Sequence, residues 1–310
     1  MATRSGLTRR HALATLAAVA GPVPARAQPG ARPLVVASKS DTEGALTGSM
    51  IALCLEDLGI PVERRLGLGP TLIVRSALLA GDIDVYPEYT GNGAFFTGTE
   101  TDPAWKVPER AYETIRRADA GLGLVWLPRA PANNTWLIAV QGALARREGM
   151  RSMADFAEAV RRGLILLAAS TEFVESPAAL PSFEAAYEFA LPMSRIISLP
   201  GGDTAVTARA AAQGISGVNA GMVYGTDGAL DVLDLTVMSD PKAAQIVYEV
   251  APVIRADALA RFPAIRDKLG PVFAGLDAAT LRRLNARISV DGQVAEAVAR
   301  DYLRTEGHLG

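Results

Sequence analysis

Ile83-Asp84-Val85-Tyr86-Pro87-Glu88-Tyr89-Thr90-Gly91-Asn92-Gly93 joins a short apolar strand to a rigid proline, two tyrosines and a glycine-rich turn. Its meaning for the fold comes from what precedes it. Pro33 to Ser38 is another short apolar strand, followed by Lys39-Ser40-Asp41-Thr42-Glu43-Gly44, a polar turn rich in helix-capping residues. From about Glu43 to Leu58, the positions of Leu46, Met50, Leu53, Cys54 and Leu58 recur at the three-and-four spacing of one buried helix face. Gly59-Ile60-Pro61 stops that helix, Val62 to Leu66 reads as a strand, and Thr71 to Ala80 as a second helix ended by Gly81. Strand, helix, strand, helix, strand is a βαβ series, which implies a mostly parallel sheet covered on both faces. Side chains just past such strand ends project into the crevice where α/β proteins bind ligands. Tyr86 and Tyr89 therefore have two readings, core residues or an aromatic wall.

A second series begins further on. Leu164 to Ala169 reads as a buried strand, Ala178 to Tyr187 as a helix, Ile196 to Leu199 as a strand, Asp203 to Gln213 as a helix and Val218 to Tyr224 as a strand. From Pro252 onward the pattern is helical. Two α/β units fit this length better than one sheet, and the absence of a Gly/Ser tether implies that short crossing segments join them.

The first 27 residues read as an export leader: a basic start with Arg9-Arg10, an apolar run from Ala14 to Val23, and Ala25-Arg26-Ala27 as a cleavage site. The paired arginines suggest the twin-arginine route as an alternative to the general one. Cys54, the only cysteine, falls within a helix, so no lipid anchor and no intrachain disulfide are expected. The formal charge is −2, and the leader carries four arginines and no acid, so the remainder carries −6. That balance disfavours nucleic acid and anionic membranes as partners. With His11 in the leader, His308 is the one histidine left, which removes Ser-His-Asp, Cys-His and HExxH chemistry and most His-metal sites. No catalytic residue, metal or cofactor is expected.

Four separated motifs then converge. Ala37-Ser38-Lys39 with Thr42-Glu43, Asp84 to Gly91, Pro131 to Trp136, and Val223-Tyr224-Gly225-Thr226-Asp227-Gly228 resemble the signatures of ABC-transporter substrate-binding proteins of the glycine betaine/carnitine/choline family. Gly91 to Phe96, Gly201 to Thr207 and Ser216 to Ala220 resemble its osmoprotectant-binding subgroup. The resemblance covers the whole chain after the leader. It implies a two-lobed periplasmic-binding-protein fold of the type with two crossover strands. Lobe one would be residues 31–134 plus 226–310 and lobe two 135–225, with the ligand cleft between them.

It also implies a ligand site. A quaternary ammonium has no N–H to donate, so aromatic faces must hold it through their ring quadrupoles. The resemblance places Tyr89, Trp136 and Tyr224 in such a cage and Lys39 against a ligand carboxylate, with Thr90, Asn92, Asn134 and Thr204 as hydrogen-bonding partners. Two positions depart from the family's pattern. Ser176 stands near where relatives carry an arginine that clamps the carboxylate, and the region of Thr204 and Ala205 offers no fourth cage aromatic. Losing one charged hydrogen bond costs about 1.5–3 kcal/mol, tenfold to about a hundredfold in affinity. Weak binding, or a different cationic or zwitterionic solute, is the consequence. The implied partners are a permease and ATPase at the inner membrane, with the protein itself a periplasmic monomer. A sensor of the same fold is the rival reading; an enzyme using Glu88, Asp203 or Asp227 is disfavoured because no second carboxylate stands at a catalytic spacing.

Overall fold

The computed structural model describes residues 1–2, 32–200 and 204–310. All but the first two residues of the expected leader, and Asp203 at the expected helix start, lie outside the described residues.

The first sheet grows from the opening βαβ series: β1 (Leu34–Lys39), α1 (Thr42–Asp57), β2 (Val62–Gly69), α2 (Thr71–Ala80) and β3 (Val85–Tyr89), then α3 (Asn92–Thr97), α4 (Pro108–Ala120) and β4 (Leu124–Trp126). Asp41 caps α1 by accepting from the Gly44 amide at 2.7 Å, and Gly81 ends α2 at φ 81°, a left-handed turn that suits glycine. Every residue of β1 and β3 is buried, as expected for parallel strands covered on both faces.

The second sheet contains β5 (Trp136–Gln141), β6 (Leu167–Ser170), β7 (Ile196–Leu199), β8 (Ala220–Tyr224) and β9 (Leu235–Val237). Its helices are α5 (Gly142–Glu148), α6 (Met153–Arg161), α7 (Thr171–Glu175), α8 (Leu180–Tyr187) and α9 (Thr204–Gln213). The chain then returns as β10 (Val250–Arg255) and finishes in α10 (Ala256–Arg261), α11 (Ile265–Ala274), α12 (Ala278–Ser289) and α13 (Ala295–Thr305). Strand order is β2-β1-β3-β10-β4 in the first sheet and β7-β6-β8-β5-β9 in the second. In each, three parallel strands meet an antiparallel one, β10 against β3 and β5 against β8.

Two readings change. Pro252 does not open a helical tail; it lies inside β10, facing Pro87 across the β3 pairing. Neither proline has an amide hydrogen, so this rung is one without ladder hydrogen bonds and both strands survive it. The expected end of lobe two at residue 225 is also too early, because β9 pairs with β5 in the second sheet. Residues 225–231 lean on α12 before the chain goes back to form β9, which explains why a crossing there looked right.

The two connections between sheets lie side by side. Residues 127–135 lead into β5, and residues 238–249 lead back into β10. The Asn134 amide donates to the Tyr248 carbonyl (2.8 Å), the Tyr248 amide to Asn133 Oδ1 (2.8 Å) and Thr135 Oγ1 to the Ile246 carbonyl (2.7 Å). Glycines let other backbone approach here. A Cβ on Gly225 would stand 2.3 Å from the Asn133 carbonyl oxygen, and one on Gly228 would stand 2.2 Å from the Ala286 nitrogen.

Backbone cannot move aside as a side-chain tip can. Gly228→Ala is therefore expected to lower stability by about 3 kcal/mol, the upper end for overpacking, read as a drop in the urea midpoint at unchanged slope. An unchanged midpoint would show that residues 225–231 do not pack on α12 in solution.

Candidate functional site

The strand directions bring one end of each sheet to the crossings. β1 ends at Lys39, β3 at Tyr89 and β8 at Tyr224, while the antiparallel β5 starts at Trp136, directly paired with Tyr224. Tyr248 lies two residues before β10, and Val250 pairs with Tyr89. Carboxyl ends of parallel strands and amino ends of their antiparallel neighbours thus face the same region.

Trp136 is the centre of an aromatic group. Its indole meets Tyr248 edge-on, with centroids 5.9 Å apart, and Phe173 edge-on at 6.1 Å. Tyr224 packs against the same cluster. Burial pushes the Tyr224 phenol up to about 12; the Trp136 N–H beside it works the other way, and the charges of Glu172, Asp227 and Asp41 add to the rise. Tyr248 is also raised, by burial first and then by the neighbouring Tyr224 and the charges of Glu172 and Glu88. Negative charge around these phenols favours a cation in their midst. The Tyr248 hydroxyl is buried without a hydrogen-bond partner, which makes it a free polar atom at the cluster.

Tyr248 is a further ring beside Trp136, at a position the sequence reading did not name. It lies on the second crossing, away from the region of Thr204 where the resemblance would place a fourth ring. The sequence carries one signal for it, an aromatic two residues before the apolar run Val250 to Ile254, which is β10.

A polar group flanks the aromatic one. The Lys39 ammonium lies 3.2 Å from Glu88 Oε1 and 4.1 Å from the centroid of the Tyr89 ring. Glu88 also accepts from Asn92 Nδ2 (2.7 Å), the Tyr89 amide (2.7 Å) and the Tyr86 hydroxyl (2.7 Å). One face of Tyr89 thus already carries a cation, and Lys39 is ion-paired rather than free to await a carboxylate.

Glu43, which the sequence did not single out, is fully buried without a cationic hydrogen-bond partner. It accepts from the Tyr89 hydroxyl (2.8 Å), Asn134 Nδ2 (3.4 Å), Thr226 Oγ1 (2.5 Å) and Asn285 Nδ2 (2.8 Å). Burial pushes its carboxyl up to about 7, partly offset by hydrogen bonds from Thr226, Tyr89 and Asn285, while the charge of Asp41 adds to the rise. The sequence places Glu43 within a family-like signature, Lys39 with Thr42-Glu43, but gives it no role, because Thr42-Glu43-Gly44 reads as an ordinary helix start.

The other sequence candidates divide. Asn134 joins the Glu43 group, and its Oδ1 is buried without a partner. Thr90 does not offer its hydroxyl to a ligand, because Oγ1 donates to the Val247 carbonyl (3.1 Å) and accepts from the Glu249 amide (3.1 Å), pinning the second crossing. Thr204 is buried at the start of α9, next to the undescribed residues 201–203, and no described contact joins it to the aromatic cluster. Ser176 ends α7, its amide donating to the Glu172 carbonyl, and brings no charge of its own.

Known proteins with this architecture give the arrangement a context. Residues 32–305 match the family described as the substrate binding domain of ABC-type glycine betaine transport system. The chain is 49% identical over 297 residues to the glycine betaine-binding protein YehZ of Escherichia coli (strain K12), covering 95% of this chain and 96% of that protein. It is 32% identical to a glycine-betaine-binding protein of Pseudomonas aeruginosa, over 90% of this chain and 89% of the other. The solved structure of apo YehZ from Escherichia coli superposes with a TM-score of 0.76 over 90% of this chain and 100% of that one. The chain belongs to this family of transport binding proteins, has the two-sheet binding-protein fold, and is not an enzyme. Among the described residues, no helix is long and apolar enough to cross a membrane.

The raised Glu43 carboxyl has a measurable consequence. Folded protein holds a proton that the unfolded chain, at the ordinary 4.5, has released, so stability falls as pH rises from 4.5 to about 7 and levels off above. The fall expected from this one group is about 3 kcal/mol. Urea unfolding at several pH values should show that component in the wild type and not in Glu43→Gln; equal slopes would contradict the assignment.

Proposed function

We propose that the protein is the periplasmic substrate-binding component of an ABC importer for a small quaternary ammonium solute, held where the two sheets meet. The observation that carries this reading is the convergence of Trp136, Tyr224 and Tyr248 within a negatively charged surround. Aromatic faces are what a trimethylammonium needs, each contributing on the order of 0.5–2 kcal/mol once water is excluded. The relatives named for glycine betaine binding support the same solute class.

The residues proposed to take part are Trp136, Tyr224 and Tyr248 as the faces, with Tyr89 beside them and Asn134 Oδ1 and the Tyr248 hydroxyl as polar contacts. Lys39 and Asn92 act through Glu88, as the pair that sets the edge of the site. With Lys39 paired and a serine at position 176, a ligand carboxylate is held loosely, and weak binding follows. Trp136 and Tyr248 are only 5% and 9% exposed, so a solute reaches them when the sheets part about the paired crossings. Export by way of residues 1–27, work as a monomer and delivery to a membrane permease belong to the same proposal.

Titration of the purified protein, followed by tryptophan fluorescence and checked by calorimetry, tests it. Glycine betaine or choline should saturate the wild type, and Tyr224→Leu and Tyr248→Leu should each weaken binding by about 1–2 kcal/mol, roughly five- to thirtyfold, while remaining folded. Saturable binding that neither substitution changes would remove the aromatic site, and no binding of either solute at millimolar concentration would remove the solute class.

A further inference from the structure

Glu43 collects hydrogen bonds from four separate parts of the chain. Tyr89 comes from the end of β3 and Asn285 from α12, both on the first-sheet side; Asn134 lies on the first crossing and Thr226 on the turn leaving β8 of the second sheet. Asn285 Nδ2 also donates to the Thr226 carbonyl (2.9 Å), and Arg282 Nε donates to the Gly225 carbonyl (2.8 Å), so α12 clasps the turn whose Thr226 hydroxyl Glu43 holds. We propose that Glu43 is a positioning residue that couples the aromatic site to the joint between the sheets, because one carboxylate orients Tyr89 and at the same time ties down Asn134 and Thr226.

The donor chemistry makes this coupling sensitive to the charge of Glu43. An ionised carboxylate offers acceptor sites for all four donors. Once protonated it must donate, and the amide nitrogens of Asn134 and Asn285 cannot accept. The hydroxyl of Tyr89 or Thr226 can turn round to accept, leaving its own proton to find another acceptor, or the Asn134 amide can flip to present its unpartnered Oδ1, so protonation reorganises one of these contacts where the carboxylate holds them all. Charged groups around the carboxylate are Asp41 on its own helix cap, Lys39 at the end of β1 above the Tyr89 ring, Glu88 on β3 holding Lys39, Asp227 next to Thr226, and Arg282 on α12.

A bound quaternary ammonium near Tyr89 favours the ionised carboxylate, and the ionised carboxylate holds all four partners, so ligand and ionisation favour each other. With the carboxyl at about 7, it is mostly protonated at pH 6 and mostly ionised at pH 8. This part of the inference rests on the proposed solute class, whereas the tie between the two segments does not.

The test has a ligand arm and a ligand-free arm. By calorimetry with choline and glycine betaine, wild-type affinity should tighten by about tenfold between pH 6 and pH 8, the change in ionised fraction of a group titrating near 7. Glu43→Gln should bind about tenfold more weakly than wild type at pH 8 and show no change with pH, and Thr226→Val, which leaves the carboxylate in place, should fall between the two. A pH slope that persists in Glu43→Gln would overturn the proposal. Without ligand, amide hydrogen exchange at pH 8 should be at least about tenfold faster in Glu43→Gln than in wild type at residues 133–135 and 225–228 together. Acceleration of only one segment, or of neither, would overturn it as well. If wild type binds neither solute, the solute reading fails and the exchange result alone decides the coupling.

Discussion

Glu43 and Glu88 are buried beside the joint between the two sheets, and the surrounding side chains are arranged to keep these carboxylates satisfied. Burying an ionised carboxylate is costly unless hydrogen bonds or an opposite charge compensate it. Glu88 meets that cost with Lys39, Asn92, Tyr86 and its neighbour's amide. Glu43 has no cation among its hydrogen-bond partners, and its four neutral donors only partly offset the cost of burial, so its carboxyl stays raised. Tyr89 lies between the two, its amide on Glu88 and its hydroxyl on Glu43, so its ring is fixed at both ends.

This frame separates holding from binding. Lys39, Asn92 and Thr90 serve mainly to fix the ends of the first sheet and the second crossing. The groups with capacity left near the aromatic group include the faces around Trp136, the Trp136 Nε1, the Tyr248 hydroxyl and Asn134 Oδ1. Such a surface is mostly apolar, weakly polar at a few points and bordered by acids, and it suits a compact cation better than a strongly hydrated anion. Membership in a family of transport binding proteins gives that surface a role, and the close backbone approaches at Gly225 and Gly228 give the joint its fixed geometry.

Much of the fold was legible because it is periodic. α1 and α2 follow from three-and-four spacing and from Gly59 and Gly81, and β1, β2 and β3 from short apolar runs between turn residues. β10 was not legible, because Pro252 argues against a central strand unless its partner is also a proline, and the pairing with Pro87 is a long-range fact. β9 was missed since three half-buried residues carry little pattern. In the site, Trp136 and Tyr224 were readable from motifs at strand ends, and the structure pairs them directly. Tyr248 stands in none of those motifs, and Glu43 stands in one without a legible role, because its partners, such as Asn285, lie at large sequence separations that no local spacing reveals.

The account depends on charge being recognised by aromatic faces rather than on shape alone. The direct test compares choline with 3,3-dimethyl-1-butanol, in which a carbon replaces the charged nitrogen at nearly the same size, by calorimetry on the wild-type protein. The account predicts saturable choline binding and affinity for the neutral alcohol lower by at least about tenfold, the loss of one or more cation–π contacts. Equal affinity for the two would show that the pocket recognises a bulky apolar group, and would contradict the claim that this joint between two sheets is a cation site.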